Sequence, residues 1–236
     1  MHFLLTNDDG IHAPGLAALE AAVRMLPDAT VTVVAPEEER SMCGHRVTTR
    51  EQLLVEQIGE GRYGVSGTPA DCVRVALFGL HLQPDFVLSG VNAGGNMGQD
   101  LPVSGTVAAA REAAYHGLPA AALSHYLIKD LAVDWTRLAH WTREMIAELL
   151  LELPGDGQFW NVNFPHHPAG ALPLPIRERV QPSRAPLRVS FARESVDVAG
   201  RLILQYDAQY KDRPAPEGTD VAVCFGGKVA VTLLSV

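Results

Sequence analysis

Cysteine is scarce: the chain has three, Cys43, Cys72 and Cys224, among 236 residues. They are too few and too scattered for a disulfide framework, and none forms the CxxC pair of a zinc knuckle, so buried free thiols are expected. No apolar run approaches the roughly 20 residues that a membrane-spanning helix needs. The opening MHFLLTNDDG has neither a basic leader nor an apolar signal region, which points to the cytoplasm. Basic runs are missing too. With 19 Lys and Arg against 27 Asp and Glu the formal charge is −8, which argues against polymeric nucleic acid as a partner. A small anion is not excluded, because a few backbone N–H groups and a cation suffice to hold one.

What is present is ordinary globular material. Hydrophobic residues make up 47% and charged residues 19%, far from the composition of a disordered chain, and the length suits one main α/β domain. HFLLT (2–6) reads as a buried strand that runs into the turn Asn-Asp-Asp-Gly. Leu16, Leu19, Ala22, Val23 and Leu26 then recur at helical spacing behind Pro14. TVTVVAP (30–36) is a second strand, followed by the polar loop EEERSMCGH. Residues 52–58 and 62–66 predict a hairpin, and a helix runs from Thr68 or Pro69 through Phe78. DFVLSG (85–90) leads into a loop with four glycines between Gly94 and Gly105, and loops of that length usually carry function. Helix Val107–His116, strand LPAAALS, helix Trp135–Leu153 and strand FWNVNFP follow.

Alternating strands and helices imply a doubly wound, mostly parallel sheet with helices on both faces, an α/β fold of three layers. After Pro165 prolines recur, and RLILQYDAQY and the pair TDVAVCF and KVAVTLLSV, joined by Gly226-Gly227, read as hairpins. The expected division is therefore a Rossmann-like catalytic core over 1–165 and a β-rich appendage over 166–236 that serves oligomerisation, with packing of its last strands on the core as an alternative.

Ligands of such sheets bind outside the carboxyl ends of the strands. Three polar loops open there: Asn7-Asp8-Asp9-Gly10, Arg40-Ser41 and Ser89-Gly90-Val91-Asn92. Adjacent carboxylates repel unless a cation or an unusual proton balances them. Carboxylate, hydroxyl and amide oxygens suit Mg²⁺ or Mn²⁺ rather than zinc or copper, and no Asp-rich twelve-residue calcium loop is present. Ser104-Gly105-Thr106 opens a helix and offers N–H groups and hydroxyls to an anion, with Asn96 in the preceding loop. A metal beside an anion cradle is phosphoryl chemistry.

Each piece alone has a plainer reading: Asp-Asp-Gly as a turn, Ser41 as a solvated hydroxyl, Asn92 as a left-handed turn residue, Ser104 and Thr106 as caps. Asn7, His12 and His45 are candidates for an outer layer around the site, and either histidine could protonate a leaving alkoxide. No base accompanies Cys43, so a structural role is expected for it. His166-His167 lacks a third metal ligand.

Together, LLTNDDGIHAPG, VAPEEERSMCGH, GTPADCV, SGVNAGGNMG, VSGTVAAAREA, NVNFP and GTDVAV resemble the ordered motifs of the SurE family of survival-protein phosphatases, from Met1 almost to the C-terminus. The resemblance implies metal ligation by Asp8, Asp9, Ser41 and Asn92. It also implies a Rossmann-like core, 5′- and 3′-nucleotidase activity on nucleoside monophosphates, action on short polyphosphate, and a homodimer or tetramer whose C-terminal elements embrace a neighbour. The chain departs from the family at its last strand, Gly227-Lys228-Val229-Ala230-Val231-Thr232-Leu233-Leu234, and in a shortened proline-rich region. A rival chemistry would make Asp8 a covalent nucleophile, but such enzymes show Asp-x-Asp rather than adjacent carboxylates. The rival class is a non-catalytic nucleotide-binding or glycosyltransferase-like module.

Overall fold

The computed structural model describes residues 1–170 and 173–236. Its core alternates β1 (His2–Thr6), α1 (Pro14–Arg24), β2 (Thr30–Pro36), β3 (Val55–Gly59), β4 (Arg62–Val65), α2 (Pro69–Arg74), β5 (Phe86–Ala93), α3 (Gly105–Tyr115), β6 (Ala120–His125), α4 (Trp135–Leu149) and β7 (Gln158–Phe164). β8 (Arg177–Arg179), β9 (Phe191–Val196), β10 (Leu202–Tyr206), α5 (Asp220–Phe225) and β11 (Val229–Ser235) complete it.

A nine-stranded sheet runs β3-β4-β2-β1-β5-β6-β7-β11-β8. β4, β2, β1, β5, β6 and β7 are mutually parallel, and β3 and β11 run antiparallel to β4 and β7. Strands buried on both faces read as continuous apolar runs, and their alternation assigns each side chain to a layer. Phe3 and Leu5 pack with Leu16, Leu19 and Trp141 under α1 and α4, whereas Leu4 packs with Val107, Ala110 and Ala113 under α2 and α3. The chain steps from β1 outward to β2 and returns on the other side of β1 as β5. The topological switch therefore lies between β1 and β5.

The predicted hairpin is β3–β4. The helix expected through Phe78 is α-helical only to Arg74 and continues as a π-turn over Val75–Gly79, closed by Leu80 N–H on Val75 O at 2.8 Å. α4 stops at Leu149 rather than Leu153.

One expectation is overturned. TDVAVCF does not pair with KVAVTLLSV; it forms helix α5. Gly226-Gly227 closes that helix instead of turning a hairpin: Gly227 N–H donates to Cys224 O at 3.1 Å, Lys228 N–H to Val223 O at 3.1 Å, and Gly227 has φ 82°. This paired bonding is the glycine-dependent helix stop that satisfies the last carbonyls. β11 pairs with β7 and β8 inside the main sheet. β9 and β10 form a separate antiparallel pair. Among the described residues no helix is long and apolar enough to cross a membrane.

Candidate active site

β1 ends at Thr6, and the turn after it is closed by Asn7, whose Nδ2 donates to Gly10 O at 2.8 Å. Gly10 has φ 99°, and a Cβ there would sit 3.3 Å from the carbonyl carbon of Glu38, so only glycine fits comfortably between the two loops. Arg40 N–H donates to Asp8 O at 2.7 Å and Ile11 N–H to Pro36 O at 2.8 Å, fixing the loop after β2 on the turn after β1.

Asp8 is 4% exposed and lies against the start of α3. Thr106 Oγ1 donates to its Oδ1 at 2.5 Å. A Cβ on Gly105 would fall 2.8 Å from Asp8 Cβ and 3.0 Å from its Oδ2. Glycine at the first helical position is therefore what lets the helix start approach the carboxylate. Ser104 caps α3 by accepting from Val107 N–H at 3.1 Å. The Asp9 carboxylate takes a different partner, accepting from Ala93 N–H at 2.9 Å through Oδ2, which ties it to the end of β5.

Burial pushes the Asp8 carboxyl up to about 6; the Thr106 hydrogen bond opposes the shift and the Asp9 charge adds to it. Burial also raises Asp9, opposed by Ala93 N–H and reinforced by Glu39. Among the described residues no Lys, Arg or His forms an ion pair with either carboxylate. Asn7 Oδ1 is buried beside them without a protein partner. Two neighbouring carboxylates without a basic partner fit a hard divalent cation, and the neutral oxygens nearby extend an all-oxygen donor set. Among the described residues no group of three His, Cys, Asp or Glu residues is placed to hold a metal.

Asn92 ends β5, and its Nδ2 donates to Gly94 O at 2.8 Å, leaving the amide oxygen without a hydrogen bond among the described residues. Ser41 lies on the loop fixed at Arg40, with its exposed hydroxyl donating to Glu39 Oε1 at 2.5 Å rather than touching Asp8 or Asp9. Asn96 is buried: its Nδ2 donates to Ser124 Oγ at 2.8 Å and reaches Thr106 Oγ1 at 3.5 Å. Thus Asp8, Asp9, Asn92, Asn96, Gly105 and Thr106 gather at the carboxyl ends of β1 and β5.

His12 is exposed and bonds to neither carboxylate. His45 is turned away, with Nε2 2.6 Å from Glu112 Oε2. His166 Nδ1 accepts from Ile128 N–H while His167 Nε2 lies 3.1 Å from Gly227 O, so the two rings serve different segments. Burial and the nearby Asp8 charge raise the Cys43 thiol, the opposite of an activated nucleophile.

Sequence reasoning missed the support of Asn96. Asn163 Oδ1 accepts from Asn96 N–H at 2.8 Å, and the amides of Asn161 and Asn163 both donate to Asn96 O, at 3.1 and 3.0 Å. Two asparagines at i and i+2 in the apolar strand FWNVNFP share one face of the sheet, and that was the available signal.

The model of the survival protein SurE family matches residues 3–178. A protein of Synechocystis sp. is 44% identical over 236 residues, covering all of both chains. The 5′-nucleotidase SurE of Paramagnetospirillum magneticum is 38% identical over 240 residues, covering 99% of this chain and 89% of that one. The crystal structure of a SurE protein from Aquifex aeolicus superposes with a TM-score of 0.87 at 31% identity, covering 100% of this chain and 93% of the other.

Proposed function

The chain belongs to the SurE family, and from that premise we propose that it is a metal-dependent phosphomonoesterase converting nucleoside 5′-monophosphates to nucleoside and phosphate. One observation carries the reading: the adjacent carboxylates of buried Asp8 and half-buried Asp9 have no basic partner among the described residues, and Asp8 is pressed against the start of α3.

In this reading Asp8, Asp9, Ser41 and Asn92 hold Mg²⁺ or Mn²⁺, with Ser41 releasing Glu39 to do so. The cation supplies charge neutralisation and Lewis acidity at the phosphoryl oxygens. The phosphoryl group rests on the N–H groups at the start of α3, on the Ser104 hydroxyl, on Thr106, which turns its hydroxyl from Asp8 to do so, and beside Asn96, so that these donors face developing negative charge. Asp8 also orients the attacking water, accepting its hydrogen bond while oxygen bonds to phosphorus in line with the departing ribose oxygen. As the bond to that oxygen breaks, the water gives up its proton to solvent and the leaving alkoxide takes up a proton from solvent. Positioning and charge stabilisation supply most of the acceleration.

All these groups address only the phosphoryl end, which supports nucleoside 3′-monophosphates and short polyphosphate as further substrates. Within residues 166–236, where β8 and β11 join the main sheet, the β9–β10 pair outside it is the part used for homo-oligomerisation.

Phosphate release from AMP, GMP and p-nitrophenyl phosphate, with Mg²⁺, with Mn²⁺ and after chelation, tests the reading. Metal-stimulated release is expected, and Asp8→Asn should lower it at least about 100-fold. Nucleotide binding without metal-stimulated release from any substrate would favour a non-catalytic module.

A further inference from the structure

Beside the phosphoryl site the sheet carries a layer of buried polar side chains that the proposed chemistry does not use. Ser124 on β6, Asn161 and Asn163 on β7 and Thr232 on β11 are at most 1% exposed. Ser124 pairs with Asn163, and Thr232 with Asn161, across neighbouring strands. Strand alternation puts Ser124 and the two asparagines on the face that also carries Ala120, Ala122 and Phe159, under α3. An apolar layer there would have no polar atoms to satisfy. The fold bears a cost instead, because Asn161 Oδ1 is buried without a protein partner among the described residues.

What the layer holds is one residue of the glycine-rich loop. Asn163 Oδ1 accepts from Asn96 N–H at 2.8 Å, and Asn161 and Asn163 donate to Asn96 O at 3.1 and 3.0 Å. Side chains of β7 thus fix the peptide groups on both sides of the Asn96 Cα, in a loop where glycines at 94, 95 and 98 give the backbone little restraint of its own. With both peptides fixed, the direction of the Asn96 Cα–Cβ bond is set. Ser124 then selects the orientation of the amide, since its Oγ accepts from Nδ2 at 2.8 Å. The same Nδ2 faces Thr106 Oγ1 at 3.5 Å, and Thr106 in turn donates to Asp8 at 2.5 Å. A continuous line of polar contacts therefore joins β7 to the carboxylate at the end of β1.

We infer that Asn161 and Asn163 are positioning residues for phosphoryl transfer: they hold the Asn96 peptide so that its side-chain amide meets a phosphoryl oxygen beside Thr106 without rearrangement. Neither touches the substrate. Their contribution is the preorganisation of a donor, and a displacement of about 1 Å in such a group costs on the order of 100-fold in rate. This role rests on the nucleotidase reading for its reaction, but not for its test.

Asn163→Ala and Asn161→Ala, the second removing only one of the two donors to Asn96 O, are compared with Val162→Ala. Val162 stands between the two asparagines, is fully buried and packs on the opposite face of the sheet, so its truncation loosens the same strand without touching Asn96. Calorimetry measures the thermal midpoint of each. Asn163→Ala should lower kcat/KM for AMP about 100-fold and Asn161→Ala about 10-fold, whereas Val162→Ala, despite its own midpoint drop, should stay within about 2-fold of wild type. A second measurement needs no turnover: titrated with inorganic phosphate in Mg²⁺, both asparagine variants should bind more weakly than wild type, Asn163→Ala about 10-fold, with Val162→Ala unchanged. If Asn163→Ala does not fold, Asn161→Ala decides by the same two measurements. Activity losses that simply follow the midpoints across the variants, or wild-type phosphate affinity in the asparagine variants, would overturn the positioning role. Absence of phosphate release from AMP by the wild type would defeat the nucleotidase reading alone, with the phosphate titration still deciding the role of the two asparagines.

Discussion

The carboxylate of Glu112, 1% exposed inside α3, gathers basic side chains from three segments. Arg74 Nε lies 2.5 Å and His116 Nε2 2.9 Å from Oε1, and His45 Nε2 2.6 Å from Oε2. Burial alone would raise this carboxyl, but the three hydrogen bonds outweigh it and hold the group down at about 2, below the usual 4.5. A carboxyl depressed on folding stabilises fully above its unfolded value and stops doing so as pH falls through its folded one. Glu112→Gln should therefore lower stability by about 2 kcal/mol at neutral pH, with the gap to wild type narrowing below about pH 4.5 and closing near pH 2. Urea unfolding of both proteins at several pH values measures this; a constant gap would refute it. None of the grouping was visible in the sequence, because Arg74 and His45 stand 38 and 67 residues from Glu112. Asp8 and Asp9 were legible, since adjacent carboxylates at a strand end pose a charge problem whatever the fold. The 98-residue reach from Thr106 to Asp8 became visible only once β1 and α3 were packed.

At the scale of elements, the β/α alternation could be read because apolar periodicity and Gly/Pro punctuation agree through β7. TDVAVCF could not, since its five-residue apolar run fits a strand or a short helix equally. What decided for helix is remote: Asp220, fully buried at its first position, accepts from Gly98 N–H, Ser183 N–H and Val221 N–H, each at 2.8 Å. One carboxylate thus pins α5, the glycine-rich loop and the segment that follows β8. Asp220→Ala would leave those donors unpaired and should destabilise by about 2–4 kcal/mol, and Asp220→Asn, with one acceptor oxygen, by less. Calorimetry should show a midpoint drop of about 5–10 °C for the alanine variant; an unchanged midpoint would remove Asp220 from this role.

On the scale of the whole molecule, β9 and β10 stand apart from the nine-stranded sheet with every residue exposed, Phe191, Val196, Leu202, Ile203, Leu204 and Tyr206 among them. A two-stranded ribbon with apolar residues on both faces is marginal in water and gains stability by inserting into another surface. A second copy of the chain is the expected host. Sedimentation should find at least a dimer at micromolar concentration, and a Leu202→Lys, Leu204→Lys double variant should run as a monomer with unchanged circular dichroism. A monomeric wild type would refute the arm's role. Tyr210, whose hydroxyl donates to Gly95 O in the glycine-rich loop, follows the end of β10 at Tyr206 by only four residues. If the ribbon docks on a neighbour, that loop is tethered to the neighbour too, and phosphate release per enzyme should then fall on dilution below the concentration at which the copies part.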